Sequence, residues 1–162
     1  MTTKKLIILA TMYTFFMWSL GWVSVRIYDS RKPTSSMVDP VTTASMLEMI
    51  NEERKKVGVG PVYFNDKAAV AAELKACDMN TKNYFDHRDP NGRWGWHFLI
   101  ESGVNYNNAG ENLAKDAFYP DDAADMRGFM ESPTHRSIIV DPKYVSVGYA
   151  SCGVYTVQYF VN

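Results

Sequence analysis

The chain has little of what the commonest catalytic and binding motifs require. Its 162 residues hold two cysteines, Cys77 and Cys152. No Cys-x-x-Cys spacing occurs, so no short cysteine motif points to a metal site. Three histidines are present but no His-Glu-x-x-His run, so the helix-borne zinc peptidase signature is missing. A Gly-x-Ser-x-Gly elbow is also absent, which leaves a serine nucleophile without its strained turn. There is no internal repeat, no low-complexity tract and no basic stripe. The formal net charge of -1 hides an asymmetry: from Met37 onward 12 Lys and Arg stand against 17 Asp and Glu, a formal -5. A negative domain is a poor nucleic-acid binder, because binding to phosphates needs clustered positive charge to displace counterions.

What is present is an ample apolar fraction, 46%, enough for one packed domain and an appendage. The appendage comes first. Leu6 to Val25 carries no charge and is bracketed by Lys4, Lys5 and Arg26. As a helix it would span roughly 30 Å, the thickness of bilayer hydrocarbon. The spacing therefore predicts a short cytoplasmic leader over 1–5, a transmembrane signal anchor over 6–25, a polar linker over 26–38 and a folded domain over 39–162. Ser19-Leu20-Gly21 and Ser24 are poor cleavage sites, and Trp18 and Trp22 suit an interface, so an uncleaved single-pass anchor is favoured over secretion after cleavage. A five-residue leader before a large domain is the layout of a signal anchor with its C-terminal part outside the cytoplasm.

Within the domain, Asp39 and Pro40 open a helix to about Lys56, with Met46, Leu47, Ile50 and Val57 on one stripe and Gly58 past its end. Asn65 caps the next helix, whose Ala68, Ala69, Ala72, Ala76 and Met79 form a narrow face of small residues. Asn83 to Gly92 is a turn region that holds His87 between Asp86 and Asp89. A short helix follows from about Gly95 to Ser102. Tyr106 to Leu113 reads as a short strand after a turn, and Pro120-Asp121-Asp122 opens a helix with Ala123, Met126 and Met130 on one face. Tyr144 to Ala150 and Val154 to Val161 read as strands joined through Ser151-Cys152-Gly153. The last strand is apolar on both faces, which asks for a sheet between layers of helices.

Cys77 and Cys152 are either a disulfide or two small buried residues. Pairing needs Cα atoms within about 7 Å, which spacing does not settle. Asp78 beside Cys77 raises a thiol pKa and argues against a reactive cysteine.

The stretch from Phe129 to Pro142 organises the rest. Ser132 suits an N-cap and Pro133 the first helical position, so a helix should begin there and stop before Pro142. His135 then lies in the first turn, where the helix dipole disfavours imidazolium. Glu131 and His135 have i,i+4 spacing, but Pro133 places Glu131 at the end of the preceding helix instead.

The run Ser132-Pro133-Thr134-His135-Arg136 resembles the Ser-Pro-Gly-His-Arg segment of bacterial CAP domains, the superfamily of cysteine-rich secretory proteins, antigen 5 and plant pathogenesis-related proteins. Ile50-Asn51-Glu52-Glu53-Arg54, Tyr84-Phe85-Asp86-His87, Gly110-Glu111-Asn112-Leu113, Val147-Gly148-Tyr149 and Val157-Gln158-Tyr159-Phe160 agree in order. The resemblance implies an α+β fold, a three-layer α-β-α sandwich behind the N-terminal transmembrane helix, and an exported domain. It also implies a cleft with two histidines and two glutamates. Here His87, Glu111 and His135 match three of these, while Ser132 stands where the second glutamate would be and Phe129 where a tryptophan would be.

Two imidazoles and a carboxylate could hold zinc, through His87 and His135 with Glu111 as third ligand or general base, or they could shape a polar cleft. A serine hydrolase is disfavoured, since Ser132 is better explained as a cap. The reading favoured is a membrane-anchored, non-catalytic module outside the cytoplasm. It would bind an envelope ligand, a lipid or a protein partner through the cleft of His87, Glu111, Ser132 and His135. The alternative is a zinc-assisted hydrolase, a peptidase for example, in the same cleft.

Overall fold

The computed structural model describes residues 40–162, and side chains from Met46 onward. The expected leader, anchor and linker (1–38) lie outside the described residues. Among the described residues no helix is long and apolar enough to cross a membrane.

Among the described residues, five helices lie about a four-stranded sheet. In chain order they are α1 (Pro40–Lys56), β1 (Tyr63–Phe64), α2 (Asp66–Lys82), α3 (Trp96–Glu101), β2 (Ala109–Lys115), α4 (Asp122–Glu131), α5 (Pro133–Ile139), β3 (Ser146–Cys152) and β4 (Tyr155–Val161). The sheet order is β1-β3-β4-β2, with β1 parallel to β3 and the other pairs antiparallel. The expected hairpin forms, with Cys152 opposite Tyr155 and Gly153 at φ 62° in the turn. At that position the left-handed backbone favours glycine.

β4 is buried at all seven positions, and its alternation divides two cores. Tyr155, Val157, Tyr159 and Val161 pack with the alanine face of α2 and with Phe98 and Leu99 of α3. Phe160 packs on the other side with Met46 and Ile50 of α1, Met126 and Phe129 of α4 and Ile139 of α5. Helices therefore cover both faces, as a strand apolar on both sides requires.

The small residues of α2 serve close approach. Asn65 caps the helix by accepting from the Ala68 amide (3.0 Å). A Cβ on Gly148 of β3 would stand 2.1 Å from the Ala69 nitrogen, so helix backbone lies directly on strand backbone. Cys77 of α2 and Cys152 of β3 form a disulfide with Cα atoms 5.0 Å apart. This settles between the two readings open from sequence.

Two expectations need correction. The sequence puts Val57 on one stripe of α1 with Met46, Leu47 and Ile50, but it is 45% exposed, because the helix ends at Lys56 and the chain turns away through Gly58 at φ 76°. Ser132 does occupy the position before α5, in extended geometry, but its hydroxyl makes no capping hydrogen bond. Proline at the first helical position already removes one of the donors that such a cap would satisfy.

Candidate functional site

His87 is delivered by the turn after α2. Asp89 builds that turn: its carboxylate accepts from the Asn91 and Arg93 amides (both 2.9 Å) and from Arg93 Nε (2.8 Å). The Asp86 carboxylate accepts from the Arg88 amide (2.8 Å). Both acids flanking His87 are thus engaged with the backbone. The partner of the imidazole comes from the sheet instead, with His87 Nδ1 2.6 Å from Glu111 Oε1 of β2.

Glu111 is 3% exposed. It points to the α2 side of the sheet, as do Leu113 and the facing Tyr159. Its second oxygen, Oε2, has no hydrogen-bond partner among the described residues, and a Cβ on Gly95 would stand 2.0 Å from it. Gly95 therefore leaves the space that the carboxylate fills. Tyr159 donates its hydroxyl to the Gly95 carbonyl (2.9 Å), and burial together with the Glu111 charge holds that hydroxyl far above its ordinary pKa.

Behind this pair lies Lys75, fully buried, a residue that sequence reading missed. Its Nζ donates to the Asp86 carbonyl (2.7 Å) and to Tyr84 Oη (3.2 Å), and Tyr84 in turn donates to Asp78 Oδ2 (2.7 Å). Desolvation lowers the lysine pKa, opposed first by the charge of Glu111. Helical spacing puts Lys75 beside Ala72 and Ala76 of the packed face, which was the signal available in the sequence.

His135 sits in α5 with its ring against the edge of Phe129, centroids 5.3 Å apart. Burial lowers its pKa, and the charge of His87 lowers it further. The two histidines are thus near enough for one charge to act on the other, although they belong to segments on opposite sides of β2. Asn112, fully buried, helps to position α5: its Nδ2 donates to Gln158 Oε1 (3.1 Å) and to the His135 carbonyl (3.4 Å). That role of Asn112 in Gly110-Glu111-Asn112 was not legible beforehand. Ser132 lies at the corner between α4 and α5 and bonds to none of His87, Glu111 and His135. Glu131 ends α4, as expected, and His97 Nδ1 donates to the Trp94 carbonyl (2.7 Å), apart from this cluster.

The three candidate ligands do not form a ready metal set. Among the described residues no three His, Cys, Asp or Glu side chains stand in ligand geometry. Glu111 is enclosed and engaged with His87 Nδ1, which makes it an orienting partner and not an exposed ligand or base.

The opposite shifts of the histidines are directly measurable. The Glu111 hydrogen bond raises His87 above 6.5, while burial takes His135 below it. An NMR titration should show His135 deprotonating first as pH rises. Because the folded value of His87 is raised, its stabilising contribution is full below pH about 6.5 and disappears as pH climbs through the folded value. Glu111→Gln should bring the His87 titration down. If His87 titrates at or below His135 in the parent, this account of the pair fails.

Residues 47–161 match the family model described as the cysteine-rich secretory protein family, CAP. The protein YkwD of Bacillus subtilis is 33% identical over 119 residues, 72% of this chain and 46% of the relative. The uncharacterized membrane protein YlbC of the same organism is 27% identical over 125 residues, 77% of this chain and 36% of YlbC. This chain thus spans less than half the length of these curated relatives. An extracellular protein with an SCP domain from Bacillus anthracis superposes with a TM-score of 0.71 at 22% identity, covering 76% of this chain and 41% of that one. An outer surface protein of Borrelia burgdorferi gives 0.67 at 16% identity, covering 75% and 92%. These likenesses support the fold, while the family match over most of the domain carries the assignment: this chain belongs to the CAP, or cysteine-rich secretory protein, family, in a bacterial form.

Proposed function

We propose that the chain is a membrane-anchored module of the cell envelope. Its CAP domain would stand outside the cytoplasm and bind a ligand, lipid or protein partner without catalysis, through the cleft of His87 and His135. What carries this reading is the 2.6 Å contact between His87 and an enclosed Glu111. A carboxylate committed to orienting a histidine is poorly placed to activate water, so the cleft has no dedicated general base. It offers a half-exposed imidazolium with an elevated pKa beside a more shielded, neutral imidazole. That pair suits an anionic or acceptor-rich group on the ligand, since a charged donor makes the stronger hydrogen bond. The anchor over 6–25 rests on the sequence reading of that run.

The alternative is a zinc-assisted hydrolase, and one observation favours it: a histidine whose Nδ1 is held by a carboxylate presents Nε2 in a fixed orientation, as metal-binding histidines commonly do. A zinc chloride titration by calorimetry separates the two, using the full chain in detergent micelles beside His87→Ala and His135→Ala. The module reading expects no binding tighter than about 100 μM by the folded parent, weaker than a dedicated zinc site. Binding in the micromolar range or tighter, lost in both variants, would move the proposal to the hydrolase.

A further inference from the structure

The end of the sheet at which β4 begins carries an aromatic pair that neither core explains. The loop 116–121 joins β2 to α4 there, and Phe118 and Tyr119 at its tip are 81% and 85% exposed. No other large apolar side chain among the described residues is as exposed. The charges of the loop point the other way. Asp121 Oδ1 caps α4 by accepting from the Ala123 and Ala124 amides (2.9 and 3.0 Å), while Asp116 and Asp122 each keep one carboxylate oxygen enclosed by protein. Acids turned inward and aromatics turned outward reverse the usual order of a water-facing loop. Hydrogen bonds fix which end of the domain this is. The Asp116 amide donates to the Val154 carbonyl (2.8 Å), so the loop leaves the sheet beside the β3–β4 hairpin. α1 runs along β3 in the opposite sense, with the Leu47 amide on Tyr149 Oη (3.2 Å) and Arg54 Nη2 on the Tyr144 carbonyl (3.1 Å). Its start at Pro40 therefore lies at the same end of the domain as the aromatic loop.

We propose that the loop of Phe118 and Tyr119 inserts into the interfacial layer of a lipid bilayer, as a second membrane contact besides the run Leu6 to Val25. The inference rests on the anchored reading above. Between that run and α1 stand the 14 residues from Arg26 to Asp39, at most about 50 Å of chain when fully extended. They enter the domain at the end that carries the loop, so the tether keeps the loop close to lipid and its insertion is in effect intramolecular. The side chains suit that depth. A tyrosine presents an apolar ring and a polar tip to the headgroup layer, and a phenylalanine beside it reaches the acyl boundary. Lys115 is exposed at the base of the loop, its Nζ over the Tyr155 ring (5.4 Å from the centroid), which puts a cation at the level of lipid phosphates. The tip is also too small for a stable protein interface, which buries about 800 Å² on each side, whereas a bilayer asks for no complementary pocket. Anchor and loop together orient the domain, where a linker alone would leave it free to turn.

The test is NMR of the isotope-labelled full chain in phosphatidylcholine nanodiscs, with and without lipids that carry a nitroxide on the acyl chain close to the headgroup. The nitroxide should abolish the amide signals of Phe118 and Tyr119 together with those of 6–25. Lys143 to Val145, at the opposite end of the sheet, should keep theirs. The double variant Phe118→Ser, Tyr119→Ser should regain the signals of the loop while 6–25 stay bleached, and its thermal midpoint should match the parent, since exposed positions contribute little to stability. Loop signals that survive beside a bleached 6–25 overturn the loop contact and leave the anchor standing. A bleached loop beside surviving signals of 6–25 overturns the anchor and upholds the loop, and survival of both overturns both. A loop still bleached in the double variant overturns the part given to the aromatics. Broadening of the loop that needs no nitroxide and grows with the number of chains per nanodisc assigns the tip to a second copy, and overturns the proposal as well.

Discussion

Arg54→Met should lower the stability of the domain by about 3–5 kcal/mol, the range for stripping a buried charged group of its role. Arg54 lies on α1 and is 1% exposed. Its Nε donates to the Gly60 carbonyl (2.7 Å), Nη1 to those of Ile139 (2.8 Å) and Asp141 (3.0 Å), and Nη2 to that of Tyr144 (3.1 Å). One guanidinium thus satisfies the loop after α1 and the chain between α5 and β3. Methionine fills much of the volume but donates nothing, so the Gly60, Ile139 and Tyr144 carbonyls lose their partner at once, at a cost of about 1–3 kcal/mol for each that stays dry, while the Asp141 carbonyl keeps the Tyr144 amide (3.3 Å). Lysine should recover only part of the loss, since a point charge cannot reproduce the planar fork. Chemical denaturation of the parent and both variants measures this. A loss under about 1 kcal/mol for Arg54→Met would mean that water replaces the guanidinium, and the account would be wrong.

Removing the Cys77–Cys152 disulfide ranks next. The bridge closes 75 residues of sequence separation, and loop-closure entropy for that span gives about 4 kcal/mol, within the usual 2–5 kcal/mol for native bridges. It joins the last turns of α2 to the end of β3, so it also holds the helix that carries Lys75, the donor to Tyr84. The double variant Cys77→Ala, Cys152→Ala should unfold at markedly lower denaturant. Its His87 titration should stay raised, because the Glu111 bond is made through β2 and the turn at Gly95. Equal midpoints for parent and double variant would refute the stabilising role. A His87 pKa that falls along with stability would show that the bridge also supports the cleft.

Both effects were unequally visible in advance. Arg54 was part of a motif that matched the family, yet its four carbonyl partners come from residues 60 to 144 and no local pattern announces them. Asn51 in the same motif pairs with both the amide and the carbonyl of Val62 (2.8 and 3.0 Å), again a contact across a turn. β1 escaped notice because two residues, Tyr63 and Phe64, are too few to show a period, and they pair with β3 over eighty residues away in sequence. The long elements were legible because their signals are local. Asn65 caps the helix that it precedes, alanines recur along one face of α2, and β4 is apolar on both sides.

The sequence by itself determined the family, the order of the helices and of the three longer strands, the sheet enclosed between helices, and the residues proposed to make a cleft. Capping, periodicity and apolar alternation act over a few residues, and they read the same in any context. Only the tertiary structure decided what those residues do to one another. It engaged Glu111 with His87 and left Ser132 without a part in the pair. It closed the disulfide, and it turned Phe118 and Tyr119 outward. Each of these depends on burial and on distances between residues remote in sequence. The strength of a charge or a hydrogen bond is set by the dielectric and the partner that the fold supplies, and neither is written in the local order of residues.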